Sequence, residues 1–197
     1  MKRRGLLAAT LTLGACSVLP ERPFEAKREW PLVVQRPAIL PPRPGGGVLL
    51  VRSLTAAPGL EDRGLHTLQS DGSMVIAIYE TWVSPPALAA EEQLRRWLGD
   101  AGLFAAVIGP GSRLTADFVL EAELTALWVD LATGRATAGL ASALLGQRNG
   151  ATRVLRQQAV RGSAAVTGAG AAAAVQAQCR ALADAFAQTE AGFRSQV

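Results

Sequence analysis

Cys16 and the residues before it have the types and spacing that suit a covalent attachment site. The chain begins with a basic stretch at 2–4 and an apolar run at 5–13, and two small residues, Gly14 and Ala15, then lead into Cys16. A charged start, a short apolar core and a small-residue cleavage site are typical of a secretory signal. The apolar run is too short to cross a bilayer, which takes about 20 residues. We therefore predict export, and an ordinary signal peptide with a chance cysteine stays the alternative.

The tetrapeptide Leu13-Gly14-Ala15-Cys16 resembles the lipobox of bacterial lipoproteins. In that family the cysteine sulfur receives a diacylglyceryl group, the chain is cut before the cysteine, and the new amino group is usually acylated. Several acyl chains form a stable membrane anchor. The resemblance implies that Leu13, Gly14 and Ala15 are recognised by the signal peptidase and that Cys16 carries the lipid. Ser17 stands where an aspartate would mark retention in the inner membrane, which implies the periplasmic side of the outer membrane.

Cleavage before Cys16 leaves residues 16–197, the size of one ordinary domain. Loss of the three basic residues at 2–4 lowers the formal net charge from +4 to +1, so charge gives no argument for a nucleic-acid partner. Residues 16–46 are rich in proline, which resists the interior of helices and sheets. We predict a lipid-anchored tether there, with one short edge strand within 31–35, and a folded domain over 47–197.

Hydrophobic patterns along 47–197 predict both strands and helices. Continuous or alternating apolar runs predict strands, and amphipathic spacing predicts two main helices. The predicted strands are 48–54, 74–83, 103–109, 116–131, 135–145 and 152–163, and the predicted helices are 84–102 and 171–193. Residues 55–73 carry Pro-Gly and Asp-Gly breakers and are predicted to be a loop. This order predicts an α/β fold: a single domain with a mixed or largely antiparallel sheet packed with two main helices.

The inventory of catalytic residues is small. His66, the single histidine of the chain, lies in the predicted loop at 55–73, and we expect it to be exposed. The sequence has no G-x-S-x-G, Walker, H-E-x-x-H or C-x-x-C motif, so an anchored hydrolase is disfavoured. Glu121 and Glu123 share a strand face, which we interpret as a solvated polar face. We predict no catalytic residue, no metal site and no cofactor other than the lipid on Cys16.

Arginines dominate a long stretch that has no acidic residue. Asp and Glu are absent between Leu131 and Ala183, and the arginines of that stretch are Arg135, Arg148, Arg153, Arg156, Arg161 and Arg180. Such a stretch can form a basic side suited to anionic headgroups or to an acidic partner, with scattered solvated arginines as the alternative. The candidate contacts are Arg148, Arg153, Arg156 and Arg161.

Tryptophans and the second cysteine complete the candidate residues. Any exposed member of the set Trp82, Trp97 and Trp128 could anchor a protein interface, since tryptophan is enriched at binding hot spots; the alternative is that they belong to the core. Cys179 has no intrachain partner once Cys16 is lipidated, and its apolar surroundings in the sequence predict a small core side chain.

Two stretches, together with the lipobox, resemble the ABC-type transport auxiliary lipoprotein family. They are "VLLVRSLTAAPGLEDRGL" (48–65) and "AEEQLRRWLGDAGLFAAVIGPGSRLTADFVLEAEL" (90–124). This family is similar to the paraquat-inducible lipoprotein type and is often linked to mammalian-cell-entry (MCE) lipid transporters. The resemblance extends over about 47–194, and the stretch 136–175, rich in alanine and glycine, fits the family's strand pattern less well.

The resemblance implies an outer-membrane-anchored periplasmic lipoprotein, a non-catalytic auxiliary component of an ABC/MCE-type intermembrane lipid transport system. The implied partners are an MCE substrate-binding protein, an ABC permease and a separate ATPase, since this sequence has no nucleotide-binding motif. A lipid ligand and a homo-oligomer stay open. The alternative function is that of a structural or assembly lipoprotein of the cell envelope, unrelated to transport.

Overall fold

A computed structural model describes residues 24–148 and 150–197, in which eight strands and two helices are formed. In chain order the elements are β1 (Arg28–Trp30), β2 (Val48–Ala56), β3 (Gly64–Leu68), β4 (Met74–Trp82), α1 (Pro86–Gly99), β5 (Ala106–Ile108), β6 (Phe118–Asp130), β7 (Arg135–Arg148), β8 (Ala151–Ala165) and α2 (Gly170–Phe193). The predicted signal peptide and lipid-attachment site, Cys16 included, lie outside the described residues.

All eight strands form one mixed sheet in which β6 is central. One edge of β6 pairs antiparallel with β7, and β7 pairs antiparallel with β8. The other edge of β6 pairs parallel with β2 near its start and with β3 at its end. β5 extends the sheet beyond β2 in parallel, whereas β4 and then β1 extend it beyond β3. The predicted α/β fold with a mixed sheet and two main helices is confirmed.

Both helices contribute to one hydrophobic core with the sheet. The fully buried leucines are Leu49 of β2, Leu94 and Leu98 of α1, Leu120 and Leu124 of β6, Leu140 and Leu144 of β7, and Leu182 of α2. α2 packs so closely on β8 that a Cβ built on Gly162 would overlap the carbonyl oxygen of Ala181 and the amide nitrogen of Ala185. Glycine therefore permits contact between the two backbones. Neither helix of the described chain combines the length and the apolar character needed to cross a bilayer.

The predicted loop at 55–73 and the predicted position of the edge strand are wrong. The predicted loop at 55–73 contains β3, a five-residue strand that ends one residue before the turn at 69–73. Its Leu65 is buried in the core, which stabilises a strand too short for its pattern to be recognised in the sequence. The edge strand predicted within 31–35 lies instead at Arg28–Trp30, where it pairs in parallel with the end of β4.

A bulge in β6 changes which of its side chains face the core. Strict alternation over 116–131 predicts that the even-numbered side chains share one buried face. Leu120 and Leu124 fit that prediction, but the pairing of β6 with β7 shifts just after Leu124. Beyond the shift Leu127 belongs to the core and Trp128 is partly exposed. The predicted face of Trp128 is therefore wrong, because a one-residue slip reverses the alternation of a strand.

The described part of the proline-rich segment packs against the domain. Leu32 lies in the hydrophobic core, and Leu40 forms a parallel bridge with Ala101 after the end of α1. Arg36 binds the side chain of Glu190 in α2. Close packing therefore begins upstream of residue 47.

Candidate functional site

The structure brings Arg148 and Arg153 together at one end of the sheet. β2 and β6 begin at this end, and the hairpin of β7 and β8 turns there. The two arginines line a cavity of about 890 Å³, and Arg43 belongs to the same lining. Arg156 and Arg161 are also on β8 but do not line this cavity. Of the four predicted contacts, the geometry therefore groups two.

Glycine and apolar side chains give the cavity its depth. Gly146 lies opposite both Phe118 and Arg153 in the sheet, and the side chain of Leu155 lies over it, 3.0 Å from where a Cβ would be. Phe118 and Leu155 form part of the lining, and both are half-buried against the core. The ring of Phe118 packs edge to face on Phe104, with centroids 5.7 Å apart. Phe118 and Leu155 therefore give the arginine-lined cavity an apolar wall that is packed against the core.

Hydrogen bonds fix the loop and strand starts that frame the cavity. The amide of Arg43 donates to the carbonyl oxygen of Phe104 at 3.1 Å, and the amide of Ala105 donates to that of Gly47 at 2.8 Å. The Asp117 carboxylate accepts from the amide of Val48 at 2.8 Å. These hydrogen bonds hold the frame in place without using the guanidinium groups of Arg148 and Arg153.

The charge of the cavity is positive. It contains the three guanidinium groups of Arg43, Arg148 and Arg153 against one side-chain carboxylate, that of Asp117. Within the described residues, no Asp or Glu side chain forms a salt bridge with any of these arginines. Arg43 donates to a main-chain oxygen of Val197, which also lines the cavity, at 3.0 Å. Arginine can hold a phosphate or a carboxylate with two parallel hydrogen bonds, so this end of the sheet is suited to an anion.

A second group of polar residues, which the sequence did not reveal, is buried between the helices. The carboxylate of Glu190, a buried residue of α2, accepts from both terminal nitrogens of Arg36, at 2.6 and 3.2 Å. It also accepts from the indole nitrogen of Trp97 at 2.8 Å and from Arg194. The Arg36 guanidinium lies over the ring of Trp97, 5.1 Å from its centroid. We call these four residues the Glu190 clasp; it ties 31–40, α1 and α2 together.

The tryptophans do not form an exposed interface. Trp82 and Trp97 are 1 % and 4 % exposed, and Trp128 is partly exposed. Trp82 and Trp97 therefore belong to the core, the alternative considered from the sequence.

The exposed apolar side chains are concentrated elsewhere, on β4. Among the described residues, β4 pairs with β1 only over Glu80–Trp82, so the outer edge of 74–79 has no neighbouring strand. The apolar side chains exposed there are Met74, Val75, Ile76, Ile78 and Tyr79. We call this segment the β4 edge. Ile78 is the most exposed of the five, at 76 %. A cluster of this kind is typical of protein–protein contact sites.

His66 is buried, contrary to the prediction of an exposed loop side chain. It lies on β3, 3 % exposed, and its Nε2 has no hydrogen-bond partner among the described residues. Burial lowers the pKa of His66, and the charge of Asp62 opposes that shift in part. No group of three or more His, Cys, Asp or Glu side chains that could hold a metal ion occurs in 24–148 or 150–197.

Cys179 packs against the core from α2 and lines a groove of about 510 Å³ between this helix and residues 30–35. Burial raises the pKa of its thiol, while a backbone hydrogen bond from Val33 and the charge of Arg180 act in the opposite direction. The thiol is free in the described chain, and Cys179 is partly buried, whereas the sequence predicted a core side chain.

Comparison with known families gives a direct match to the sequence. The profile of the family described as "ABC-type transport auxiliary lipoprotein component" matches residues 32–189. The chain belongs to this family. The match includes Arg36, the β4 edge and both arginine-bearing strands of the cavity, so the family domain begins upstream of β2. The description of an auxiliary component implies a non-catalytic role, and that of a lipoprotein implies membrane anchoring by lipid.

Solved structures show the same fold. A Xanthomonas campestris protein of the DUF330 family is 20 % identical with a TM-score of 0.67, covering 84 % of this chain and 94 % of that one. An uncharacterized protein is 19 % identical with a TM-score of 0.65, covering 87 % and 98 %. A hypothetical protein from Chlamydia trachomatis is 11 % identical with a TM-score of 0.54, covering 76 % and 98 %. A comparison with curated proteins gave no significant match.

Proposed function

We propose that this auxiliary lipoprotein serves an ABC/MCE-type system that moves lipids between the inner and outer membranes. It is anchored to the periplasmic side of the outer membrane through acyl chains on Cys16, after cleavage behind Leu13, Gly14 and Ala15. Support comes from the lipobox, from Ser17, and from membership of the transport auxiliary family. The domain binds an MCE substrate-binding protein, and a separate permease and ATPase supply the energy.

The observation that carries this proposal is the exposed β4 edge. Five apolar side chains on one unpaired strand edge are costly in water and match the composition of a docking surface. An unpaired strand edge also presents free N–H and C=O groups, to which a partner strand can add. The MCE partner docks there, and Arg148 and Arg153 contact anionic lipid headgroups. A second copy of the chain at the same edge would give the homo-oligomer.

The test is recovery of the lipidated protein from membranes, followed by mass spectrometry of the proteins that accompany it. We expect an MCE protein with an ABC permease or ATPase, and none of them with Cys16→Ala. Ile78→Glu on the β4 edge should abolish the recovery. Leu88→Glu, on the exposed face of α1 at 58 % exposure, is the matched control and should leave it unchanged.

Recovery of cell-wall or barrel-assembly proteins alone would overturn the proposal and favour a structural or assembly lipoprotein of the envelope. Equal losses for Ile78→Glu and Leu88→Glu would leave transport in place and exclude the β4 edge as the docking site.

A further inference from the structure

The arginine-lined cavity is larger than an inorganic anion requires. Its volume of about 890 Å³ lies near the upper end of the range for small-molecule sites, about 300–1,000 Å³. A phosphate group held by Arg148 and Arg153 fills only a small part of that volume. The occupant that suits this cavity therefore carries an anionic group attached to something larger.

The remaining walls decide what that larger part is. Phe118, Leu155, Ala105 and Ala151 present hydrocarbon to the cavity, and the glycines at 45–47 and Gly146 add no side chain. Asp117 is the single side-chain carboxylate of the lining, and its Oδ2 accepts a hydrogen bond from the amide of Val48. Gln147 and Gln196 are the neutral polar side chains of the lining. Apolar walls favour an apolar ligand part because its contact with water is removed on binding.

We propose that the cavity binds one molecule of an anionic amphiphile, a glycerophospholipid being the simplest kind. Arg148 and Arg153 hold the phosphate, and the acyl part lies against Phe118 and Leu155. Arg43, which donates a hydrogen bond to a main-chain oxygen of Val197, is the third arginine of the lining. The inference rests on the proposed function for the source of the ligand, the transported lipid, and makes this chain a carrier of lipid as well as a docking component.

Two simpler occupants share part of this chemistry. A free phosphate would engage the arginines alone, and a membrane surface would engage them through many headgroups without an acyl chain entering the cavity. The volume and the apolar wall favour the single amphiphile, because neither alternative uses Phe118 and Leu155.

The test uses the full mature chain with Cys16→Ser, which needs no detergent. Isothermal titration calorimetry compares three soluble probes: dihexanoyl phosphatidic acid below its micelle concentration, glycerol phosphate, and dihexanoylglycerol. We expect the intact amphiphile to bind at least tenfold more tightly than either part. Anionic vesicles, measured by co-sedimentation, form the fourth arm.

Substitutions on one hairpin give a matched control. Arg148→Gln with Arg153→Gln removes the two cavity guanidinium groups and should weaken the binding of dihexanoyl phosphatidic acid at least tenfold. Arg156→Gln with Arg161→Gln removes the same charge from the same hairpin, outside the cavity, and should change this binding less than twofold. All four arginines are exposed, so the variants keep the fold. Leu155→Asn should weaken the binding of dihexanoyl phosphatidic acid and leave the binding of glycerol phosphate unchanged.

Equal affinity for glycerol phosphate and the amphiphile would overturn the proposal in favour of a plain anion site. Binding to vesicles without binding to the soluble amphiphile would overturn it in favour of a membrane-contact surface, as would equal losses in the two double variants. Each result leaves the recovery of an MCE partner unaffected, so the failure of this inference is distinguishable from the failure of the proposed function.

Discussion

The Glu190 clasp and the arginine-lined cavity use the same side chain in opposite ways. In the clasp, the Arg36 side chain is 11 % exposed and meets the side chain of Glu190, which is 5 % exposed. In the cavity, Arg148 and Arg153 are exposed and, within the described residues, meet no carboxylate. A buried charge must be paired to be tolerated, whereas an exposed one is solvated and stays free to bind a ligand. The clasp therefore serves stability, and the cavity is available for function.

The largest expected effect comes from breaking the clasp. Glu190→Ala leaves the Arg36 guanidinium buried without its counter-charge, and breaking a buried pair costs about 3–5 kcal/mol. We expect a loss of that size in the free energy of unfolding, measured by urea denaturation. Glu92→Ala is the control, because Glu92 binds Arg95 and Arg96 on the partly exposed side of α1 and such pairs contribute about 1 kcal/mol or less. Equal losses for the two variants would contradict the comparison.

A second prediction concerns the packing of α2, the helix that carries Glu190, on β8, the strand that carries Arg153. Gly162→Ala places a Cβ against the backbone of α2, and overpacking of this kind costs about 1–3 kcal/mol. The expected result is a lower midpoint of thermal unfolding. Gly99→Ala, where a Cβ meets no atom within 4 Å, should leave the midpoint unchanged or raise it. An unchanged midpoint for Gly162→Ala would show that the helix and the strand are not in backbone contact at this position.

His66 sharpens the comparison, because it is a buried polar group without the partners that Glu190 has. Its pKa in the folded chain is lowered from the usual 6.5 by burial, so between the two values the unfolded chain binds more protons. The contribution of neutral His66 to the free energy of unfolding is therefore fully present above pH 6.5. It is lost as the pH falls from 6.5 through the lowered pKa of the folded chain. We expect unfolding at pH 7.5 and 5.5 to show a larger loss for the wild type than for His66→Gln. The same loss in both would contradict the assignment.

The smallest effect is expected at the cavity. Arg148→Gln and Arg153→Gln remove exposed side chains without ion pairs, and such substitutions change stability by about 0.5 kcal/mol or less. Urea denaturation without ligand should therefore give the wild-type midpoint. A loss approaching that of Glu190→Ala would mean that these arginines are structural.

Local pattern was enough to predict most of the sheet and both helices, because each has a long hydrophobic period. β7 and β8 follow the predicted positions despite their alanine and glycine, since small side chains permit close packing of α2. β3 could not be predicted, as five residues between turns carry too little pattern. The bulge after Leu124 could not be predicted for another reason, because the register of β6 depends on its partner strand.

The candidate site was predictable only in part. The acid-free stretch pointed to four arginines, and the turn of the β7–β8 hairpin brings two of them, Arg148 and Arg153, together in the structure. Arg43 joins them from more than 100 positions upstream, and Arg36 meets Glu190 across 154 positions. Such contacts depend on the tertiary fold and leave no spacing in the sequence.

One measurement tests most directly whether the unpaired arginines of the cavity bind a ligand. It is the urea midpoint of the mature Cys16→Ser chain with and without dihexanoyl phosphatidic acid. A ligand present at one hundred times its dissociation constant should stabilise the folded chain by about 2.7 kcal/mol. We expect that shift for the wild type and for Arg156→Gln with Arg161→Gln, and about half of it or less for Arg148→Gln with Arg153→Gln, because at least tenfold weaker binding lowers the ligand excess over the dissociation constant to ten or less. An equal shift in all three proteins, or none in the wild type, would contradict our account.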